Sequence, residues 1–461
     1  MNSPQVIKMY EAREQIYPRE TKGRYATIRW VCVWLTQLVF YGTPWLTWND
    51  RQAVLFDLVS RKFYIFGIVL WPQDFIYLAA LLIVSAYLLF LVTAVAGRVW
   101  CGFACPQTVY TSIFLWIETR IEGARSARMA LDKQGPSLKK SAKKTAKHLV
   151  WGLVALWTGF TFVGYFTPIK LLAVEAITFD FGPWEWFWVV FYAFATYGNA
   201  GWMREQVCKY MCPYARFQSA MFDQDTLIIS YDAQRGEPRG ALNKKAAPAA
   251  KQADCIDCTL CVQVCPTGID IRDGLQYECI GCAACVDACN GVMDKIGRPR
   301  GLVRYSTDHA MANGFTPKQV RQRAHRPRVL IYTAILVLIV SAVGTSMYLR
   351  KPLKMDVIRD RNSMGREVEG GMIENTYRLQ IMNTTEQSRS FRIKVSGIPT
   401  LTLATPPEVT VGATETYSLP VRLRIAGDAG QKGSNKIQIE LTALDNESLK
   451  VEEKAVFIVP R

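Results

Sequence analysis

Histidine is scarce in this sequence: only His148, His309 and His325 occur in 461 residues, all outside or at the edge of the long apolar runs. Haem held inside a bilayer needs axial histidines within the spans, so membrane b-type haem is not expected. No Walker A sequence and no dinucleotide-binding glycine fingerprint occurs, so neither ATP nor NAD is indicated. Acidic residues are missing from the apolar runs, which argues against a proton or ion pump. The last 112 residues hold no cysteine. The first 29 are polar, with six Lys/Arg and no apolar core, so no signal peptide is expected.

Half of the chain is apolar and its mean hydropathy is slightly positive, unusual for a soluble protein. Uncharged runs cover Trp30–Asn49, Phe75–Gly97, Leu149–Ile169, Trp186–Met203 and Val329–Leu349. Each approaches the roughly 20 residues needed to span a bilayer. Five such runs argue for membrane spans over buried core helices. A shorter run, Phe63–Gln73, reads as an interfacial or re-entrant piece.

Lys and Arg number 6, 3, 10, 1 and 18 in the successive segments before and between these runs. That alternation places the N-terminus, residues 98–148 and residues 204–328 on the cytoplasmic side, with the C-terminal region outside. Most of the net charge of +16 is then topology, not a nucleic-acid signal. The lysine-rich "KKSAKKTAKH" is expected to solvate a loop surface or meet anionic headgroups. The stretch "GALNKKAAPAAKQ" reads as a flexible tether.

Thirteen cysteines follow this topology. Cys32 sits alone within the first run and reads as packing. The other twelve lie at or after cytoplasmic span ends, where disulfides are not expected, so they argue for metal or redox work. Cys255-x-x-Cys258-x-x-Cys261-x-x-x-Cys265-Pro266 is followed by Cys279-x-x-Cys282-x-x-Cys285-x-x-x-Cys289. This is the bacterial two-cluster ferredoxin pattern, in which the fourth cysteine of each run ligates the other 4Fe–4S cluster. Cys255, Cys258, Cys261 and Cys289 are therefore expected to hold one cluster, and Cys279, Cys282, Cys285 and Cys265 the other. A zinc site also uses Cys-x-x-Cys pairs but rarely needs eight thiolates in two equivalent triplets.

Two further pairs, Cys101/Cys105 and Cys208/Cys212, sit in matching Cys-x-x-x-Cys-Pro units that form a weak internal repeat. Residues four apart share a helix face but make poor disulfides. Pro106 and Pro213 should break the helix after the second cysteine and open the next one. A thiol at such a helix start, near Arg98 or Lys209, is expected to have a lowered pKa. If the pairs converge, four thiolates could hold a further Fe–S cluster, a soft ion such as Cu(I), or act as a dithiol couple. Spacing alone does not choose among them.

Past Leu349 apolar and polar residues alternate in segments such as "YRLQIMN", "SFRIKVSG" and "NKIQIELTAL", separated by turn residues. About 100 residues with seven or so strands predict an immunoglobulin-like sandwich. The expected fold is a multi-domain membrane protein: a five-span α-helical bundle, an inserted two-cluster ferredoxin module of α+β class and a C-terminal all-β sandwich. The expected boundaries are a cytoplasmic segment (1–29), a four-span core with both Cys-Pro motifs (30–222), a linker (223–254), the ferredoxin module (255–291), a basic segment (292–328), a fifth span (329–349) and an external β domain (350–461).

The motifs "WCGFACPQTV" and "VCKYMCPYARFQ", the two-cluster run and the external sandwich together resemble the cytochrome c oxidase accessory family called CcoG, FixG or RdxA. The resemblance covers essentially the whole chain, although the paired Cys-x-x-x-Cys-Pro motifs are shared with membrane electron-transfer proteins of the NapH and NosR type. It implies a protein of the bacterial inner membrane with a periplasmic C-terminal domain. The implied role is assembly of cbb3-type cytochrome oxidase by reduction of Cu(II) to Cu(I). The family's cysteine motifs map onto Cys101, Cys105, Cys208, Cys212 and the eight ferredoxin cysteines, so the first four are candidates for the catalytic or copper-binding centre. Oxidase subunits or copper-delivery proteins and a cytoplasmic electron donor are the implied partners; a homo-oligomer is left open. Two alternatives stand beside it: a quinol-linked relay subunit, and a copper chaperone whose clusters are only structural.

Overall fold

The computed structural model describes residues 15–241, 253–323, 325–360 and 365–460. The chain forms two compact units, residues 1–64 with 71–341 and residues 65–70 with 342–461. Most of the expected linker's flexible stretch, residues 242–252, lies outside the described residues, as do residues 1–14 of the N-terminal segment.

Through residue 221 the first unit is mainly helical, with short strands between α1 and α2: α1 Arg24–Gly42, α2 Phe75–Ala96, α3 Val99–Phe103, α4 Pro106–Glu122, α5 Arg125–Lys133, α6 Leu138–Val163, α7 Ile169–Thr178, α8 Pro183–Thr196 and α9 Pro213–Met221. Among the described residues, three helices are long and apolar enough to cross a membrane: Pro72–Ala96, α6 and Pro327–Tyr348. Only 0 % and 6 % of the apolar windows of the first and last are buried inside the protein. Faces so apolar and so uncovered require lipid as their solvent. Arg326 and Arg328 tie the start of the last helix to Asp223 at 2.7 and 3.3 Å.

Three of the expected runs are not single α-helices; in Leu149–Ile169, α6 ends at Val163 and a turn leads into α7 at Ile169. Instead of Trp30–Asn49, α1 covers Arg24–Gly42, then Thr43–Trp45 turns into the strand pair Thr47–Trp48 and Arg51–Gln52. The run Trp186–Met203 begins as α8 but continues from Tyr197 as a π-helical stretch. There Gly201 lies so close to Trp151 that an added Cβ would stand 3.1 Å from its ring. The short run Phe63–Gln73 contributes the strands Lys62–Ile65 and Ile68–Leu70.

The expected loop at residues 98–147 is mostly helical. Ser137 caps α6, its hydroxyl accepting the Lys140 amide at 3.2 Å, so the lysine run forms the first turns of that helix. Lys144 and Lys147 reach Glu122 at 3.0 and 2.8 Å, and the Lys147 ammonium lies over the Trp151 ring. Glu118, 1 % exposed, holds Arg204 at 2.6 Å and Arg128 at 3.6 Å. Replacing Glu118 with alanine would leave two arginines uncompensated, at an expected cost of about 3–5 kcal/mol. A thermal melt of detergent-solubilised protein checks this, and an unchanged Tm would contradict it.

The strand Ile228–Tyr231 pairs antiparallel with Val303–Ser306, Ile228 opposite Ser306. Ile229 and Val303 pack against Cys261, Cys279, Cys285 and Cys289. The ferredoxin fold thus draws on residues that the sequence assigned to the linker and to the basic segment. Strands of four residues carry too little pattern to be seen in sequence.

In the second unit, one sheet has the order Thr402–Leu403, Thr416–Ala426, Met372–Asn383, Leu353–Arg359, with Arg366–Val368 also on the Met372 strand. The other runs Glu408–Val411, Arg389–Ser396, Gly433–Ala443, Lys450–Val459. Alternate residues face inward: Val421, Leu423 and Ile425 meet Ile437, Ile439, Leu441, Phe391 and Phe457 in one core. Glu374, also buried, is neutralised by Arg366 and Arg424.

Candidate functional site

The two ferredoxin runs fold alike. Asp257 and Thr259 in the first, and Gly281 and Ala283 in the second, all have positive φ, at matching places around the second cysteine. These left-handed residues curl each loop before a helix, Leu260–Gln263 or Ala284–Lys295.

Two apolar cavities result. One is lined by Cys261, Cys265, Cys279, Cys282 and Cys285. The other is lined by Cys255, Cys258, Cys261 and Cys289. Each thus takes three cysteines of one run together with Cys265 or Cys289 from the other, and Cys261 lines both. Burial pushes the Cys279 and Cys289 thiols up to about 12 and Cys261 to about 11. Cys282 and Cys285 are raised by burial too, with neighbouring thiols adding to it. Such thiols are protonated when free, and metal binding must release their protons. Among the described residues, no three His, Cys, Asp or Glu side chains converge tightly enough for a single metal ion. None of the thirteen cysteines is paired in a disulfide. Thiolates spread around a cavity suit an iron–sulfur cage better than one ion.

The four membrane-side cysteines sit at two matching helix breaks. Cys101 lies in α3 and Cys105 caps α4, with Pro106 as its first residue. Cys208 lies in a π-helical turn, Val207–Met211, and Cys212 caps α9 ahead of Pro213. The fold brings the pairs together: Cys101 feels the charge of Cys105 and Cys208, and Cys105 that of Cys212. For Cys101, Cys105 and Cys208 the expected lowering of the pKa is overturned. Burial pushes Cys101 up to about 12 and Cys208 to about 11, outweighing the opposing pull of Arg98. Cys105 also rises by burial, against the help of the Gln107 and Thr108 amides.

The ferredoxin module is clamped onto these breaks. A Cβ on Gly102 would stand 2.8 Å from the Cys282 Cα and from the Gly281 carbonyl, so backbone packs on backbone. Arg98, 6 % exposed, donates to the carbonyls of Tyr277, Cys279 and Ala215. The Tyr277 hydroxyl donates to the Lys209 carbonyl at 3.2 Å. Asp287 accepts the Ala26 and Tyr25 amides at 2.7 and 3.3 Å, satisfying the start of α1. Cys101 and Cys208 consequently pack against the buried cluster of Val264, Ile280, Cys282 and Ala284. No residue lining the Cys255/Cys258/Cys261/Cys289 cavity comes from α1–α9. Sequence reading missed the roles of Arg98 and Asp287; a lone carboxylate inside "CVDAC" was the only local hint.

Comparison with known proteins agrees with this layout. Residues 203–308 match the family described as a 4Fe-4S dicluster domain, and residues 78–122 a 4Fe-4S binding domain. Residues 343–460 match the IG-like fold at the C-terminus of FixG. Iron–sulfur domains joined to membrane-spanning helices define a membrane-associated electron-transfer protein. Protein RdxB of Cereibacter sphaeroides is 40% identical over 458 residues, covering 96% of this chain and 95% of RdxB. Nitrogen fixation protein FixG of Rhizobium meliloti is 38% identical over 435 residues, covering 87% of this chain and 83% of FixG. The chain belongs to the FixG family. A crystal structure of a FixG-related protein from Vibrio parahaemolyticus is 32% identical, covering 24% of this chain and 98% of that one, at a TM-score of 0.22.

Proposed function

We propose that this protein reduces Cu(II) to Cu(I) at the membrane for the copper centre of a cbb3-type cytochrome c oxidase. The observation that carries the reading is the backbone contact of Gly102 with Gly281 and Cys282, with Cys101 and Cys208 packed against the apolar cluster that holds Cys282. A 4Fe–4S cluster in each cavity would supply one-electron transfer. Cys255, Cys258, Cys261 and Cys289 would hold the cluster facing a cytoplasmic donor. Cys265, Cys279, Cys282 and Cys285 would hold the one beside the membrane. Cys101, Cys105, Cys208 and Cys212 form the exit, where soft thiolates favour Cu(I) over Cu(II). One electron turns one Cu(II) into one Cu(I), so no proton or leaving group is needed.

In this reading the chain crosses the inner membrane five times, with the N-terminus and ferredoxin module cytoplasmic and the sandwich periplasmic. The alternating Lys/Arg content supports that orientation. The sandwich would meet oxidase subunits or copper-delivery proteins. Cells carrying Cys101→Ser with Cys208→Ser should assemble oxidase depleted of copper, as read by metal analysis of the purified enzyme. Full copper occupancy in that strain would sink the proposal.

A further inference from the structure

Among the described residues three cationic side chains are buried: Arg98, Arg128 and Lys147. Arg128 meets the buried Glu118 at 3.6 Å, and Lys147 meets the buried Glu122 at 2.8 Å. Arg98 is the exception. Its guanidinium donates to the carbonyls of Tyr277, Cys279 and Ala215, and among the described residues it forms no ion pair. Carbonyls satisfy its N–H groups but carry no net charge, and a guanidinium is never deprotonated in a protein. A buried charge without a counter-charge is strongly unfavourable. The fold can keep such a group where a negative charge comes to it.

The surroundings of Arg98 identify that charge. Cys101 and Cys208, at the two helix breaks, and Cys279, in the cavity it shares with Cys265, Cys282 and Cys285, all feel its field. The loop of this inner cavity packs on the Arg98 backbone, where a Cβ on Gly281 would stand 3.2 Å from the Arg98 carbonyl. These thiols lose their protons when they bind metal. Arg98 therefore lies between two thiol sets that turn anionic when loaded. The outer cavity is built the other way. Its lining holds one guanidinium, Arg272, and both Asp257 and Asp270 bind it, so the three together carry net negative charge.

We propose that Arg98 is the fixed counter-charge of the inner cluster and the membrane-side thiols, and that it sets the direction of electron flow. A cage of iron, sulfide and four thiolates gains one negative charge with each electron it accepts. A cation beside it favours the reduced state, and the neutralised Arg272 gives the outer cage no such help. Electrons entering at the outer cavity are drawn inward one at a time, the outer cage being oxidised as the inner one is reduced. Arg98 itself gains and loses nothing. It acts through the cage, as a positioning residue. The inference rests on the electron-transfer reading of the two cavities and not on copper as the substrate.

The test is an EPR redox titration of the full-length, cluster-loaded chain in detergent, with iron content measured first. Cys289→Ala, which keeps the inner cluster, and Cys265→Ala, which keeps the outer, assign the two midpoints. In wild type the inner midpoint should lie above the outer one. Arg98→Gln should cut the inner cluster's reduced-to-oxidised ratio at fixed potential about tenfold, the order expected of one nearby charge. That is a downward shift of about 59 mV, with iron content and the outer midpoint unchanged. Arg98→Lys keeps the charge and should restore the inner midpoint. If Arg98→Gln loses iron, Arg98→Lys decides: a wild-type midpoint supports the counter-charge, and a tenfold fall overturns it. An inner midpoint below the outer one in wild type, or unmoved in Arg98→Gln, overturns this proposal alone. Wild-type protein that takes up no iron overturns the electron-transfer reading and this proposal with it.

Discussion

Replacing Gly102 with valine is expected to slow oxidation of the reduced clusters by Cu(II) severalfold, with both clusters still present. The reason is geometric. A Cβ at this position meets the Cys282 Cα and the Gly281 carbonyl at 2.8 Å, and neither can rotate away as a flexible side chain would. The ferredoxin loop must therefore move off α3, carrying Cys282 away from Cys101. Electron transfer weakens steeply as donor and acceptor separate, so widening this contact slows it. Stopped-flow absorbance under anaerobic conditions gives the rate, and EPR intensity reports whether the clusters survive. Gly291, with open space around its Cβ direction, is the control, and Gly291→Ala should react like wild type. A wild-type rate in Gly102→Val would mean that electrons do not pass through this contact.

The second large effect concerns which cysteine serves which cluster. Cys265 belongs by sequence to the first run but lines the cavity of Cys279, Cys282 and Cys285, whereas Cys289 lines that of Cys255, Cys258 and Cys261. Cys265→Ala should remove the cluster beside the membrane, halving the iron content and abolishing Cu(II) reduction while the outer cluster's EPR signal persists. Cys289→Ala should remove the outer cluster instead, leaving the inner one reducible by dithionite. If each alanine removed the cluster of its own run, the exchange of fourth ligands would be wrong.

What could be read in the sequence was local. The eight cysteines at Cys255–Cys289 sit at short fixed spacings, Pro106 and Pro213 dictate their own helix breaks, and "PVRLRI" alternates over a two-layer core. What could not be read joins distant positions. Gly102 meets Gly281, Glu118 meets Arg204, and Asp287 meets the amides of α1, each across many intervening residues. The direction of the thiol shifts failed for a related reason. Arg98 was visible as a nearby charge, but burial of Cys101 depends on what the whole fold places over it. Hydropathy alone also overran α1, because a run of uncharged residues says nothing about Gly42, Thr43 and Pro44 turning the chain.

The most direct test of the account is made on anaerobically purified, reduced protein given stoichiometric Cu(II). Cluster oxidation is followed by EPR while a Cu(I)-specific chelator traps the product, with Cys101→Ser/Cys208→Ser measured alongside. The account predicts one Cu(I) for each electron lost from the wild-type clusters, and intact, reduced clusters without Cu(I) in the variant. Cu(II) left untouched by wild type, or reduced equally well by the variant, would contradict it.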